Sequence, residues 1–168
     1  MPGVGDTYEL HDHERVAVTA LTPELLEVEA EWGAAEHRPL AHVHAAQDEW
    51  FVVHEGELTI DAGGQRRTLR AGDTADVARG MPHRMWNSGT TPARATWQIR
   101  PALRTADFWT AVDAARRTRP TDAHGMLTPV AAAPLLHEYR TEFALALPAA
   151  VRATAMTALR IAARLKRY

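Results

Sequence analysis

The stretch HVHAAQDEWFVVHEG, residues 42–56, brings two histidines and an acid into a spacing that could do chemistry: His42 and His44 are separated by one residue, and Glu49 follows five residues later. The chain has no cysteine, so disulfides, thiolate ligands and a thiol nucleophile are excluded together, and any metal must be held by nitrogen and oxygen. Imidazole and carboxylate donors suit a divalent transition ion, Fe, Mn, Ni, Zn or Cu, without choosing among them. The other reading of the same residues is the wet face of an ordinary strand.

The elements that must position these residues are strands. Residues two apart on a strand share a face, so His42 and His44 project together. On DEWFVVHE, Glu49 leads an inward face that continues with Phe51 and Val53, while Trp50, Val52 and His54 face outward. Burying two histidines and a glutamate among apolar residues is costly unless something compensates them. A divalent cation is one such partner. A fourth candidate lies in GDTADVARGMPHRMWN, where His83, Met85 and Asn87 share one face of a short strand.

These two segments resemble the two motifs of the cupin superfamily, small β-barrels that hold a metal inside. The first motif is matched by His42, His44, Glu49 and Gly56, and the second by Gly72, Gly80, His83 and Asn87. The first motif's leading glycine falls at Glu36, and the second's proline falls at Ala78; both are turn positions, so the departures bear on local backbone and not on the ligands. The resemblance implies an all-β, jelly-roll (double-stranded β-helix) barrel with one divalent ion held by His42, His44, Glu49 and His83. It also implies a spread of reactions: dioxygenation of aromatics or diketones, decarboxylation, isomerisation and polyketide cyclisation. Cupin barrels in which the same residues only fill the pocket are the alternative. An ion held by three neutral rings and one carboxylate keeps a net charge of about +1 and, if six-coordinate, about two open positions, enough for a bidentate oxygen ligand or for Lewis-acid chemistry.

Parity extends the site. Arg38 and Leu40 precede His42 at even spacing, so a strand reaching that far turns both toward the metal, where Arg38 could pair with a substrate carboxylate. Leu40, Phe51, Val53, Met85 and either Trp97 or Ile99 would make an apolar pocket, with ordinary core as the competing role for each. Glu36 is the one further acid near the mouth and the candidate general base. His11, His13, His37, His54, His124 and His137 show no ligand pattern. The expected activity is that of a metal-dependent oxygenase on a small aromatic or enolisable hydrophobic compound. A metal-dependent cyclase or isomerase, or a small-molecule-binding cupin without catalysis, remains open.

Around this site the pattern changes once. Residues 14–100 read as short alternating strands, RVAVTAL, LLEVEAEW, EWFVVHEGELTI, QRRTLR, DTADVA, HRMWNS and ARATWQIR, separated by the turn chemistry of DAGGQ and NSGTTPA. After Pro101 the chain turns helical, with Thr105 as N-cap of TADFWTAVDAARRTR, a loop at PTDAHGMLTP, and helices over PLLHEYRTEFALAL and PAAVRATAMTALRIAARLKRY. This divides the 168 residues into a barrel, 1–103, and a helical extension, 104–168, packed on the barrel or on a partner subunit.

Charge is uneven. Residues 148–168 hold five basic groups and no acid, whereas the first 147 hold 14 basic against 21 acidic groups. Such a body is unsuited to neutralising phosphates, which argues against nucleic acid as a partner. Arg152, Arg160, Arg164 and Arg167 fall on one side of the last helix, and Val151, Ala158, Ile161, Ala162 and Leu165 on the other. That pattern predicts packing on the barrel or a homodimer partner, or peripheral contact with an anionic membrane. No basic start followed by an apolar run opens the chain, so the expected location is cytoplasmic.

Overall fold

In a computed structural model of the chain, which describes residues 1–34 and 37–165, two antiparallel sheets face each other and three helices close one end. The strands are β1 (Thr7–His11), β2 (Glu14–Leu21), β3 (Leu26–Trp32), β4 (His42–Val43), β5 (Asp48–Glu55) and β6 (Glu57–Ala62). They continue with β7 (Gln65–Arg70), β8 (Thr74–Val77), β9 (His83–Trp86), β10 (Ala93–Arg100) and β11 (Ala144–Leu145). The helices are α1 (Thr105–Arg116), α2 (Pro129–Glu138) and α3 (Ala149–Leu165). One sheet runs β1-β2-β3-β10-β5-β8 and the other β11-β4-β9-β6-β7. From β4 to β10 the chain alternates between the sheets except at the β6–β7 hairpin, which stays within one, the double-stranded β-helix expected for a cupin barrel.

Alternation sets which side chains go inside. Along β5, Glu49, Phe51 and Val53 are buried while Asp48, Trp50 and Val52 are only partly so; on β10, Ala93, Ala95, Trp97 and Ile99 are buried. Leu26, Leu58, Leu69 and Ile99 are almost fully enclosed, each contributing about 1.5–3 kcal/mol of transfer free energy. Two glycine-dependent turns hold the register. Gly63 and Gly64 both have positive φ (58° and 81°), the requirement of the tight turn that joins β6 to β7. Gly56, at the end of the first motif, has φ +70°, and a Cβ there would sit 2.5 Å from the Pro92 carbonyl oxygen and 2.8 Å from Ala93 Cα. Alanine at this position would therefore separate β5 from the turn leading into β10.

The extension differs from its sequence pattern in three places. Thr105 is the first residue of α1 and not its cap; its hydroxyl instead lies 2.8 Å from Gln47 Nε2, which also reaches the Pro101 and Ala102 carbonyls. PLLHEYRTEFALAL is helical only to Glu138: α2 starts earlier, with Pro129 in its first turn, and the chain then turns and adds β11 to the edge of β4. Ring stacking of Phe143 on His42, centroids 4.4 Å apart, and strand pairing at Leu145↔His42 outcompete the local helix propensity. On α3, Ala163 is buried and Leu159 partly buried, whereas Val151, Ile161 and Leu165 are exposed, so within the single chain those three do not pack on the barrel. The Arg152 and Arg160 side chains and residues 166–168 lie outside the described residues, as does Glu36. Among the described residues no helix is long and apolar enough to cross a membrane. A strand at residues 7–11, unread in the sequence, pairs with β2 and packs beneath α1.

Candidate metal centre

His42 lies on β4, His44 just past its end, and His83 opens β9; His42 and His83 are directly paired across the two strands. Directly paired residues carry their side chains on the same side of a sheet. The ligand atoms of His42, His44 and His83 all fall within 4.8 Å of one another, the one such group of three among the described residues. Glu49 arrives from the opposite sheet on β5. Its Oε2 is 2.8 Å from His83 Nε2, and its Oε1 is 3.3 Å from His44 Nε2. The Trp97 indole N–H donates to Glu49 Oε1 at 3.0 Å, which fixes the carboxylate's orientation.

Each ring is also held from behind. His83 Nδ1 donates to the Met81 carbonyl at 3.0 Å, His44 Nδ1 donates to the Glu142 carbonyl, and His42 Nδ1 is 3.4 Å from the Leu40 carbonyl. A ring whose Nδ1 carries the proton presents a lone pair at Nε2, the arrangement that metal-binding histidines adopt. His44, Glu49 and His83 are buried, at 6%, 3% and 3% exposure. His44 Nε2 and Glu49 Oε2 are buried with no hydrogen-bond partner. Two orphaned donor atoms facing one point are costly without a further partner, and a divalent cation supplies one. The residues fit a metal.

Electrostatics agree with that fit. Burial, then His83 and His44, push the His42 pKa well below the usual imidazole value, so this ring stays neutral. Burial also works against charge on His44, but the Glu49 carboxylate outweighs it and raises the pKa. Burial likewise opposes ionisation of Glu49, yet His44 and His83 hold its pKa well below the carboxylate range. The Glu49 carboxylate is therefore ionised, with His44 and His83 against its two oxygens. A divalent ion neutralises the same carboxylate while leaving all three rings neutral.

The centre forms one end of a cavity of about 250 Å³. Leu40, Phe51, Met85 and Trp97 line it, Phe51 and Trp97 stacked with centroids 5.4 Å apart. Val53 does not line it; two residues beyond Phe51 and paired with Ala95, it belongs to the barrel core. Arg38 does not reach it either. Residues 37–41 are not a strand, so alternation has no hold on them, and the exposed Arg38 guanidinium lies over the Trp86 ring, 4.8 Å from its centroid. Asn87 points away from the cluster and pins the β9–β10 turn, donating to the Trp32 and Thr91 carbonyls at 3.1 and 2.7 Å.

Sequence reading missed the far wall. Phe108, Trp109, Leu135, Glu142 and Phe143, all from the extension, line the cavity; their one local signal was the apolar side of a helix, which says buried without saying against what. It also missed a second group of rings. His11, His13, His37 and His124 pack in sequence, with centroids 5.5 Å apart for His11 and His37 and 4.1 Å for His37 and His124. They come from the start of the chain, the segment after β3 and the α1–α2 loop, and no spacing rule joins such distant segments.

Fold and site together define a jelly-roll barrel with a three-histidine candidate metal centre. Residues 28–99 match the Cupin domain family model, so this stretch of the chain carries a cupin domain. The tetracenomycin polyketide synthase protein TcmJ of Streptomyces glaucescens is 35% identical over 60 residues, 36% of this chain and 40% of that protein, so the match spans well under half of the relative's length. Among solved structures, KdgF from a Halomonas species superposes with a TM-score of 0.54 at 18% identity, over 60% of this chain and 91% of that one. An RmlC-like cupin from Shewanella frigidimarina gives 0.54 at 19%, over 60% and 87%. At these identities the structural likenesses bear on fold alone.

Proposed function

We propose that the chain is a metal-dependent enzyme that acts on a small aromatic or enolisable hydrophobic compound, with oxygenation as its reaction. One observation carries this reading: the four donors of the metal centre open into a cavity walled by aromatic and aliphatic side chains, with no lysine or arginine among its described lining residues. Such a wall favours apolar ring systems through burial and offset ring contacts. His42, His44, His83 and Glu49 would hold the ion, which when bound supplies a Lewis acid and open coordination positions for oxygen ligands. Trp97 keeps Glu49 oriented. Phe143, stacked on His42, and Phe108, 5.5 Å from Phe143, cover the centre and limit its access to water.

A second reading, cyclisation or isomerisation of an enolisable polyketide-like compound, is favoured by the similarity to TcmJ. It uses the same ion without dioxygen. Oxygen consumption by the Fe(II)-loaded protein, offered hydroxylated naphthalenes and β-diketones, separates the two. Uptake that depends on substrate supports oxygenation. Substrate turnover without oxygen uptake supports the second reading, and no turnover with any divalent ion removes both in favour of a binding protein.

A further inference from the structure

Glu142 sits in the turn between α2 and β11, against the metal centre. Its main-chain carbonyl accepts from His44 Nδ1, and its own N–H donates to the Tyr139 carbonyl at 3.0 Å. The side chain has a separate situation. The residue is only 6% exposed and lines the cavity. Its neighbours there are Phe108, Leu135, Phe143 and the histidines of the centre. Among the described residues its carboxylate makes no hydrogen bond or ion pair, unlike Glu49, whose oxygens face His44, His83 and Trp97. On a residue this little exposed, in a largely apolar cavity, an unpaired carboxylate gains from a partner that enters the cavity. The three-histidine group does not include it, and the fold does not need it, since the turn is held by main-chain bonds.

We propose that the Glu142 carboxylate is the acceptor that recognises a hydroxyl of the ligand, so that the cavity takes neutral hydroxylated aromatic compounds and discriminates against carboxylates and phosphates. The assignment rests on the reading of the cavity as a ligand site and names its ligand class. It follows from two features together. The described lining offers three carboxylates, Glu14 paired with His11 and Glu49 and Glu142 toward the centre, and no lysine or arginine to offset an anionic ligand. An O–H donated to a buried carboxylate is a charge-assisted bond, among the stronger single contacts available to a small ligand. An anionic group brought to the same place meets like charge. The extension thereby supplies specificity to a centre that the barrel alone assembles.

The test is calorimetric titration of the full chain, zinc-loaded and metal-free, with 2-naphthol, 2-methoxynaphthalene and 2-naphthoate. Glu142→Gln keeps shape and main chain while removing the charge, and Glu142→Asp withdraws it by one methylene. Both variants should retain the wild-type zinc stoichiometry. Glu142→Gln should weaken 2-naphthol about tenfold or more in both metal states, leave 2-methoxynaphthalene within about twofold, and strengthen 2-naphthoate. Glu142→Asp should fall between. If Glu142→Gln shifts naphthol and its ether equally, or neither, the assignment is overturned while the cavity reading stands. Loss of zinc from Glu142→Gln also overturns it, because the carboxylate would then serve the metal. Should no compound bind any form, the cavity reading falls and the assignment with it. Should Glu142→Gln fail to fold, the same comparison is made with Glu142→Asp.

Discussion

Two groups of imidazoles lie in this barrel, and among the described residues only one has the geometry of a metal centre. His42, His44 and His83 each have Nδ1 turned to a main-chain carbonyl, and their ligand atoms converge within 4.8 Å. His11, His13, His37 and His124 also pack ring to ring, with centroids 4.1 to 6.3 Å apart, yet no three of them converge in this way. In the second group His11 is spoken for at both nitrogens: Nε2 is 2.8 Å from Glu14, and Nδ1 accepts the His13 main-chain N–H. His37 and His124 stack face to face. Number and proximity of histidines therefore do not make a site. What does is a ring held from behind so that its free nitrogen points inward, and a buried acid that leaves charge to be neutralised.

That contrast can be broken first at the ligands. His44→Ala or His83→Ala should remove more than about 100-fold of metal affinity, exceeding what loss of a supporting hydrogen bond costs, and elemental analysis after metal loading should find almost none bound. His37→Ala and His124→Ala should leave the content unchanged; a drop comparable to that of His44→Ala would erase the distinction. A smaller effect tests the orienting bonds. Trp97→Phe deletes the N–H donated to Glu49 and should weaken metal binding about tenfold in a competition titration with a chromophoric chelator, with the fold intact by circular dichroism.

The smallest effect belongs to the second group. Burial, then His124 and His11, lower the His37 pKa. A histidine whose pKa is depressed in the folded state contributes stability that is present above its unfolded value, about 6.5, and is lost as pH falls through the lower folded value. His124→Gln removes the nearest like charge, so the His37 titration followed by NMR should move upward, and the fall in Tm on acidification across that window should flatten. An unchanged His37 titration would mean that the stacked pair is not coupled.

Much of the centre was legible because strands impose a period of two. His42 and His44 share a face for that reason, and Glu49, Phe51 and Val53 for the same reason, although the period could not say that Phe51 meets the cavity and Val53 the core. The rule failed at Arg38, where the backbone is not a strand. It had nothing to say about Glu142 or Phe143, whose segment reads as helix locally and becomes β11 only because β4 offers an edge and His42 offers a ring to stack on. Gln47 was likewise silent in the sequence, though its amide ties the start of β5 to the start of α1.

The sequence by itself determined the barrel and the four donors, since side-chain alternation and turn glycines act over a few residues and leave a readable spacing. Tertiary structure alone decided what faces those donors: the extension folds back over the open end of the barrel and brings Phe108, Trp109, Glu142 and Phe143 to a centre some 25–100 residues earlier in the chain. Contacts at that separation are chosen by packing and by which sheet edge is free, and neither leaves a periodic trace in the order of residues.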